Sequence, residues 1–305
     1  MTGDAAGAPT PFADRLAEAV ERKRTQLVVG LDPVVDLLPV ELRGEADAGR
    51  ASAAAAVERF CKGIVDAVAP YVVAVKPQAA FFEALGSDGW RAFEGVARYA
   101  REAGLLVIAD AKRGDIGSTA RAYAAAFLEP ASGDAPLADA LTVNPYLGRD
   151  SVDPFLAACR RDGAGVFLLV RTSNAGATEL QDAMLADGRP VWQYVAQLVD
   201  EWGADIVGAG GLSSVGAVVG ATVPRIVGEA RRAMPRAIIL LPGVGAQGAS
   251  PADVARAFTS GPASALVNAA RSVNYAFRDS GEDFRAAAGA EAARLKNEVW
   301  AVSGW

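Results

Sequence analysis

Eight short apolar runs punctuate the chain and alternate with alanine-rich stretches whose apolar residues recur near every 3.6 positions. The runs are Gln26–Leu31, Val72–Lys76, Leu105–Asp110, Ala140–Val143, Gly165–Val170, Asp205–Gly208, Ile238–Leu241 and Ala265–Asn268. They are rich in Val, Ile and Leu and show little polar alternation, which predicts strands buried on both faces of a parallel sheet. The stretches between them, such as Ala51–Val68 and Gly89–Ala103, predict helices. Eight strands alternating with helices in 305 residues predict an α/β fold, a single (β/α)8 TIM barrel spanning residues 1–305 as one domain. A doubly wound sheet is the alternative, but it wants a GxGxxG turn after the first strand, and "GLDPVVD" is not one. The first ten residues are expected to be disordered, and Gly44–Ser52 reads as a loop leading into a helix. Asn174–Pro190 reads as an excursion over the barrel mouth, either a substrate-side lid or a surface insertion.

Charge and composition remove several classes of function. The formal charge is −6 with no basic stripe, so a nucleic-acid partner is not expected. The densest basic stretch, Glu21–Arg24, suits the end of a solvated helix. No run of 18 apolar residues occurs and the N-terminus lacks the pattern of a signal peptide, so no membrane association is expected. Two cysteines, Cys61 and Cys159, fall within helical segments, where they read as small buried apolar residues of a cytoplasmic protein. There is no histidine, which excludes a histidine base, a serine–histidine triad and a histidine-ligated metal. Lysine is scarce, five against 25 arginines, yet Lys76 and Lys112 both stand at strand ends.

In a parallel barrel the active site lies at the C-terminal ends of the strands. The first strand ends at Asp32, the second at Lys76, and the third at Asp110 with Lys112 just beyond. The fourth runs into Asn144, the fifth into Arg171-Thr172-Ser173, the seventh into "PGVGAQG" (Pro242–Gly248) and the eighth into "NAARS" (Asn268–Ser272). Positions i and i+2 of extended backbone share a side, so Asp110 and Lys112 are expected to face one site, with Lys76 nearby. The competing interpretation, an ion-pair network that only closes the barrel top, has to explain why so many costly buried charges are gathered there. Asp115 stands where the third strand gives way to a helix and, taken alone, is also a plausible helix-start carboxylate.

The last two strand ends have a different character. "PGVGAQG" supplies closely approachable backbone N–H groups and the Gln247 amide, and "NAARS" adds the Arg271 guanidinium. Loops after strands seven and eight commonly form a phosphate site in this fold, and arginine grips phosphate through paired, charge-assisted hydrogen bonds.

Six segments in order, "LVVGLDP", "AVKPQAAFFE", "IADAKRGDIGSTA", "TVNPYLG", "PGVGAQG" and "NAARS", resemble the orotidine 5′-phosphate decarboxylases, in the bacterial form that carries the "DAKRGDI" signature. The resemblance runs from about Leu27 to Ser272. It implies conversion of orotidine 5′-phosphate to UMP and CO2 in pyrimidine biosynthesis, with no cofactor and no metal. By the same resemblance, Lys112 delivers a proton to C6 of the pyrimidine. Asp110 lies beside the substrate carboxylate, and Lys76 binds a ribose hydroxyl within the charged network. Asp32 contacts the ribose or the pyrimidine, Ser173 bonds the pyrimidine amide, and Gln247 and Arg271 hold the 5′-phosphate. Asp115 and Thr119 reach into the site of a partner subunit, which implies a homodimer with shared sites. A metal-dependent sugar-phosphate aldolase or isomerase and a non-catalytic nucleotide-binding module are the alternatives. The family pattern does not place Asn174–Pro190.

Overall fold

The computed structural model describes residues 9–130, 135–243 and 249–305. Eight parallel strands close into a barrel in chain order, β1 pairing with both β2 and β8. They are β1 (Leu27–Leu31), β2 (Ala74–Pro77), β3 (Leu106–Arg113), β4 (Ala140–Val143), β5 (Gly165–Arg171), β6 (Ser213–Val219), β7 (Ala237–Pro242) and β8 (Ala265–Ala269). Around them run α1 (Phe12–Lys23), α2 (Val40–Ala46), α3 (Arg50–Val68), α4 (Ala79–Glu83), α5 (Gly86–Glu102), α6 (Gly117–Leu128) and α7 (Arg149–Asp162). The chain continues through α8 (Ala177–Leu180), α9 (Val191–Trp202), α10 (Pro224–Ala233), α11 (Arg271–Asn274), α12 (Phe277–Ser280) and α13 (Phe284–Ser303). A 3-10 segment, Pro251–Phe258, stands where an α-helix would link β7 to β8. This is the TIM barrel that the spacing of apolar runs predicts.

Two apolar clusters explain the architecture. The larger lies between the outward faces of the strands and the surrounding helices and includes Leu27, Val57, Phe60, Phe93, Val107, Phe155 and Val267. The smaller fills the barrel interior with Val28, Ile108, Phe167, Ile238 and Leu266. Helix α1 caps it from below with Phe12, Leu16 and Val20. The Phe12 ring meets Phe167 edge-on at 5.9 Å, a favourable aromatic geometry. The bottom of the barrel is thereby sealed, and the open end is the one where the strands finish. Cys61 and Cys159 are buried in α3 and α7 as free thiols. No helix among the described residues is long and apolar enough to cross a membrane.

Three sequence expectations need correction. The sixth strand is Ser213–Val219 and not Asp205–Gly208, whose Val207 makes only an isolated antiparallel bridge to Ser213. The true strand, "SSVGAVV", hides behind two serines and a glycine. Ser213 Oγ donates to the Gly203 carbonyl and Ser214 Oγ accepts from Ala13 N–H, so both hydroxyls are buried with partners. A Cβ on Gly216 would stand 2.5 Å from the Ile238 oxygen and 2.7 Å from the Phe167 ring, so close packing selects glycine there. Second, Gly44–Ala46 is not loop: it completes α2, whose Leu42 and Ala46 are buried. Third, of the ten N-terminal residues expected to be disordered, 1–8 lie outside the described residues, while Pro9 and Thr10 pack against Gly163.

Candidate active site

The open end holds a cavity of about 470 Å³, within the range of about 300–1,000 Å³ common for small-molecule sites. It is lined by the ends of several strands, among them Asp32, Lys76, Asp110, Lys112, Ser173 and Arg271.

Asp110 is its electrostatic centre. One oxygen accepts from Lys76 Nζ at 2.5 Å and from Gln78 Nε2 at 3.1 Å. The other accepts from Lys112 Nζ at 2.6 Å and from the Thr142 hydroxyl at 3.0 Å. Burial opposes ionisation of this carboxyl, but the two ammonium groups and their hydrogen bonds hold it well below the usual carboxylate range. Lys76 is likewise buried, which favours its neutral form, yet Asp110 and Asp32 together raise its pKa and keep it charged. The two lysines differ in access. The Lys76 side chain is 6% exposed and that of Lys112 45%.

The Asp110–Lys112 pairing is as expected, but its cause is not strand alternation. Lys112 has φ of +49°, in the left-handed region, and the β3–β4 register shifts between Ala109 and Arg113. The Lys112 N–H donates to Thr142 Oγ1 at 3.0 Å, which pins this irregular turn to β4. Thr142 thus holds both the backbone of the lysine and the carboxylate it pairs with. Asn144, expected at the site, does not line the cavity: its backbone pairs with Arg113 and packs against Gly114. The side chain two residues earlier, Thr142, takes that place.

Asp32 closes the site on the β1 side. It is largely buried, and that burial, with a smaller push from Asp110, raises its pKa against the pull of Lys76, Lys112 and Arg271. Its Oδ1 and Asn268 Oδ1 are buried without a hydrogen-bond partner among the described residues, and both residues line the cavity. Unsatisfied buried acceptors in a cavity call for a ligand with hydroxyl or N–H donors. Arg271 opens α11 at the end of β8 and lines the same cavity beside Pro242 and Gly243. Gln247 lies outside the described residues.

Asp115 and Thr119 are not brought to this cavity. The Asp115 carboxylate accepts from the Ile116 N–H at 2.7 Å, and Thr119 is exposed in the first turn of α6. Side chains that sequence reasoning missed are Gln78, Thr142 and Gln181, all on the cavity wall. Gln78 and Thr142 stand two residues from strand-end positions already singled out, so alternation along β2 and β4 is the signal that points to them.

The family model for "Orotidine 5′-phosphate decarboxylase / HUMPS family" matches residues 25–284. The chain belongs to this family. An orotidine 5′-phosphate decarboxylase of Rhodopirellula baltica is 49% identical over 280 residues, covering 91% of this chain and 92% of the relative. That of Streptomyces coelicolor is 43% identical over 264 residues, covering 86% and 89%. Among solved structures, the OMP decarboxylase of Leishmania donovani superposes with a TM-score of 0.75 at 32% identity, covering 97% of this chain and 100% of its own. Family membership accounts for the order of the six segments and for the barrel that carries them.

Proposed function

We propose that this chain decarboxylates orotidine 5′-phosphate to UMP and CO2 in pyrimidine biosynthesis, using no metal or organic cofactor. The observation that carries this reading is the Lys76–Asp110–Lys112 array at the end of β2 and β3, facing a cavity with Arg271 at its rim. Loss of CO2 breaks the bond at C6 and leaves its electron pair there, with poor delocalisation into the ring. A fixed ammonium beside C6 stabilises that charge as it develops and then donates a proton to it. Both lysines line the cavity, but Lys112 suits this role because its side chain is 45% exposed, whereas that of Lys76 is 6% exposed and held charged by Asp110 and Asp32. Arginine would not serve, since guanidinium holds its proton too tightly.

The remaining roles are those the family resemblance implies. Asp110, kept ionised, sits beside the substrate carboxylate, where repulsion eases as CO2 leaves. Asp32 and Lys76 take ribose hydroxyls, which would satisfy the open acceptor on Asp32. Ser173 meets the pyrimidine amide. Arg271 and Gln247 grip the 5′-phosphate, and binding energy there serves catalysis when it is realised in the transition state.

The working unit is read as a homodimer in which Asp115 and Thr119 complete the partner's site. Both stand clear of their own cavity, and exposed apolar side chains occur at the same end of the barrel, Ile116 in the segment after β3 and Tyr146 and Leu147 in the segment after β4. The whole chain is read as one domain, and two free, buried cysteines fit a cytoplasmic enzyme.

Absorbance of orotidine 5′-phosphate, followed in EDTA, tests the reading. Its loss with formation of one UMP per substrate is expected. Turnover that needs added metal, or binding of UMP with no turnover of substrate, would favour a metal-dependent aldolase or isomerase or a binding module instead.

A further inference from the structure

The Asn174–Pro190 excursion is folded back onto the site by a set of side-chain and backbone hydrogen bonds. Arg171, the last residue of β5 and only 8% exposed, holds Asp182 through Nε at 2.8 Å and a terminal nitrogen at 2.9 Å. Its other terminal nitrogen donates to the Thr172 carbonyl. The adjacent residue, Gln181, grips Thr172 from the other side: its Oε1 accepts from Thr172 N–H at 2.8 Å and its Nε2 donates to Thr172 Oγ1 at 2.9 Å. The Thr172 hydroxyl donates to Asn174 Oδ1 at 2.6 Å. The return of the excursion is tied down as well, with Trp192 N–H on the Gln181 carbonyl at 2.9 Å and Val191 N–H on that of Ala183 at 2.9 Å.

Ser173 follows directly after this doubly held threonine. Its other neighbour is Gly220, at the end of β6, where a Cβ would stand 2.9 Å from the Ser173 backbone nitrogen, Cα and Cβ. Ser173 is therefore wedged between a residue clamped by the excursion and a strand end stripped of its side chain. Ser173, Thr172 and Gln181 all line the cavity.

We infer that Gln181 is a positioning residue for the pyrimidine end of the site: it fixes Thr172, and through it Ser173, while the Arg171–Asp182 clasp fastens the excursion that carries it. The inference rests on Ser173 being the contact to the pyrimidine amide. A hydrogen bond to an unshifted pyrimidine requires placement to a fraction of an ångström, which a free loop does not provide. The excursion is then neither a mobile cover nor a bland insertion but a brace.

The test compares wild type, Gln181→Ala, Ser173→Ala and the double variant in turnover of orotidine 5′-phosphate, with UMP and ribose 5-phosphate as competitive ligands. Gln181→Ala is expected to lower kcat/KM roughly 10- to 100-fold, the scale of a misplacement near 1 Å. It should weaken UMP binding yet leave ribose 5-phosphate, which has no pyrimidine, unchanged. In the Ser173→Ala background it should cost almost nothing more. Gln181→Met, of similar length but without polar atoms, should repeat the loss if the alanine variant folds poorly. Multiplying effects in the double variant, equal weakening of both ligands, or Gln181 variants within twofold of wild type would overturn the inference. If Ser173→Ala itself is within twofold of wild type, the assignment of Ser173 fails first and the inference falls with it.

Discussion

Lys112 reaches Asp110 at 2.6 Å from a backbone turned to φ of +49°, a conformation that residues with a Cβ seldom adopt. The β3–β4 register shifts around this residue, and its N–H donates to Thr142 Oγ1. Strain is thus held at the residue assigned the central chemical task, as functional sites often show.

That strain is measurable. Lys112→Ala keeps the left-handed backbone with a Cβ, whereas Lys112→Gly removes it. The glycine variant is expected to be more stable than the alanine variant by about 1 kcal/mol in urea unfolding, with both inactive. Alanine equal to or more stable than glycine would show that the turn carries no strain.

Asp32 gives a prediction with a definite sign. Its folded-state pKa is raised, chiefly by burial, so the folded protein binds its proton more tightly than the unfolded chain. The ionised carboxylate therefore costs stability, and that cost grows as pH rises from the ordinary aspartate value of 3.8 through the folded pKa and persists at neutral pH. Asp32→Asn is expected to raise Tm at pH 7 while lowering turnover, with the gain in Tm vanishing below about pH 4. A fall in Tm at pH 7 would mean that attraction to Lys76 outweighs desolvation.

At the phosphate end, Arg271→Ala is expected to weaken UMP binding by about 2–4 kcal/mol, the scale for losing a charge-assisted contact in a binding site. Uridine, which lacks the phosphate, should bind as before. Calorimetry on both ligands decides: equal losses would make Arg271 a support for its loop instead of a phosphate ligand.

The proposal that two subunits share each site is open to complementation. Lys112→Ala and Asp115→Ala dimers should each be nearly inactive. Unfolded together in equal amounts and refolded, half the dimers are hybrids with one intact site, so activity should return to roughly one quarter of wild type. No recovery, with hybrids confirmed by native mass spectrometry, would place Asp115 in the site of its own chain.

Seven of the eight strands were legible in the sequence because a strand buried on both faces needs an unbroken apolar run. The sixth was not, because its polar residues are satisfied by distant partners, Ser214 by Ala13 and Ser213 by Gly203, that no local pattern reveals. The charges of the site were legible for the converse reason: Lys76, Asp110 and Lys112 interrupt apolar strands where charge is costly. Their neutral supports were hidden. Gln78 meets Asp110 only because β2 lies beside β3, and Gln181 meets Thr172 only because the excursion folds back nine residues later.

The most direct test of the central assignment is single-turnover decarboxylation of orotidine 5′-phosphate by wild type and Lys112→Ala, with UMP affinity measured on both. Removing a strand-end lysine whose side chain is 45% exposed leaves no core cavity, so the variant should fold and retain UMP binding. Its rate at saturating substrate is expected to fall by at least about 10⁴-fold, since both the stabilising charge and the proton donor are gone. A rate within tenfold of wild type would contradict the assignment of Lys112 as the group that stabilises and protonates C6.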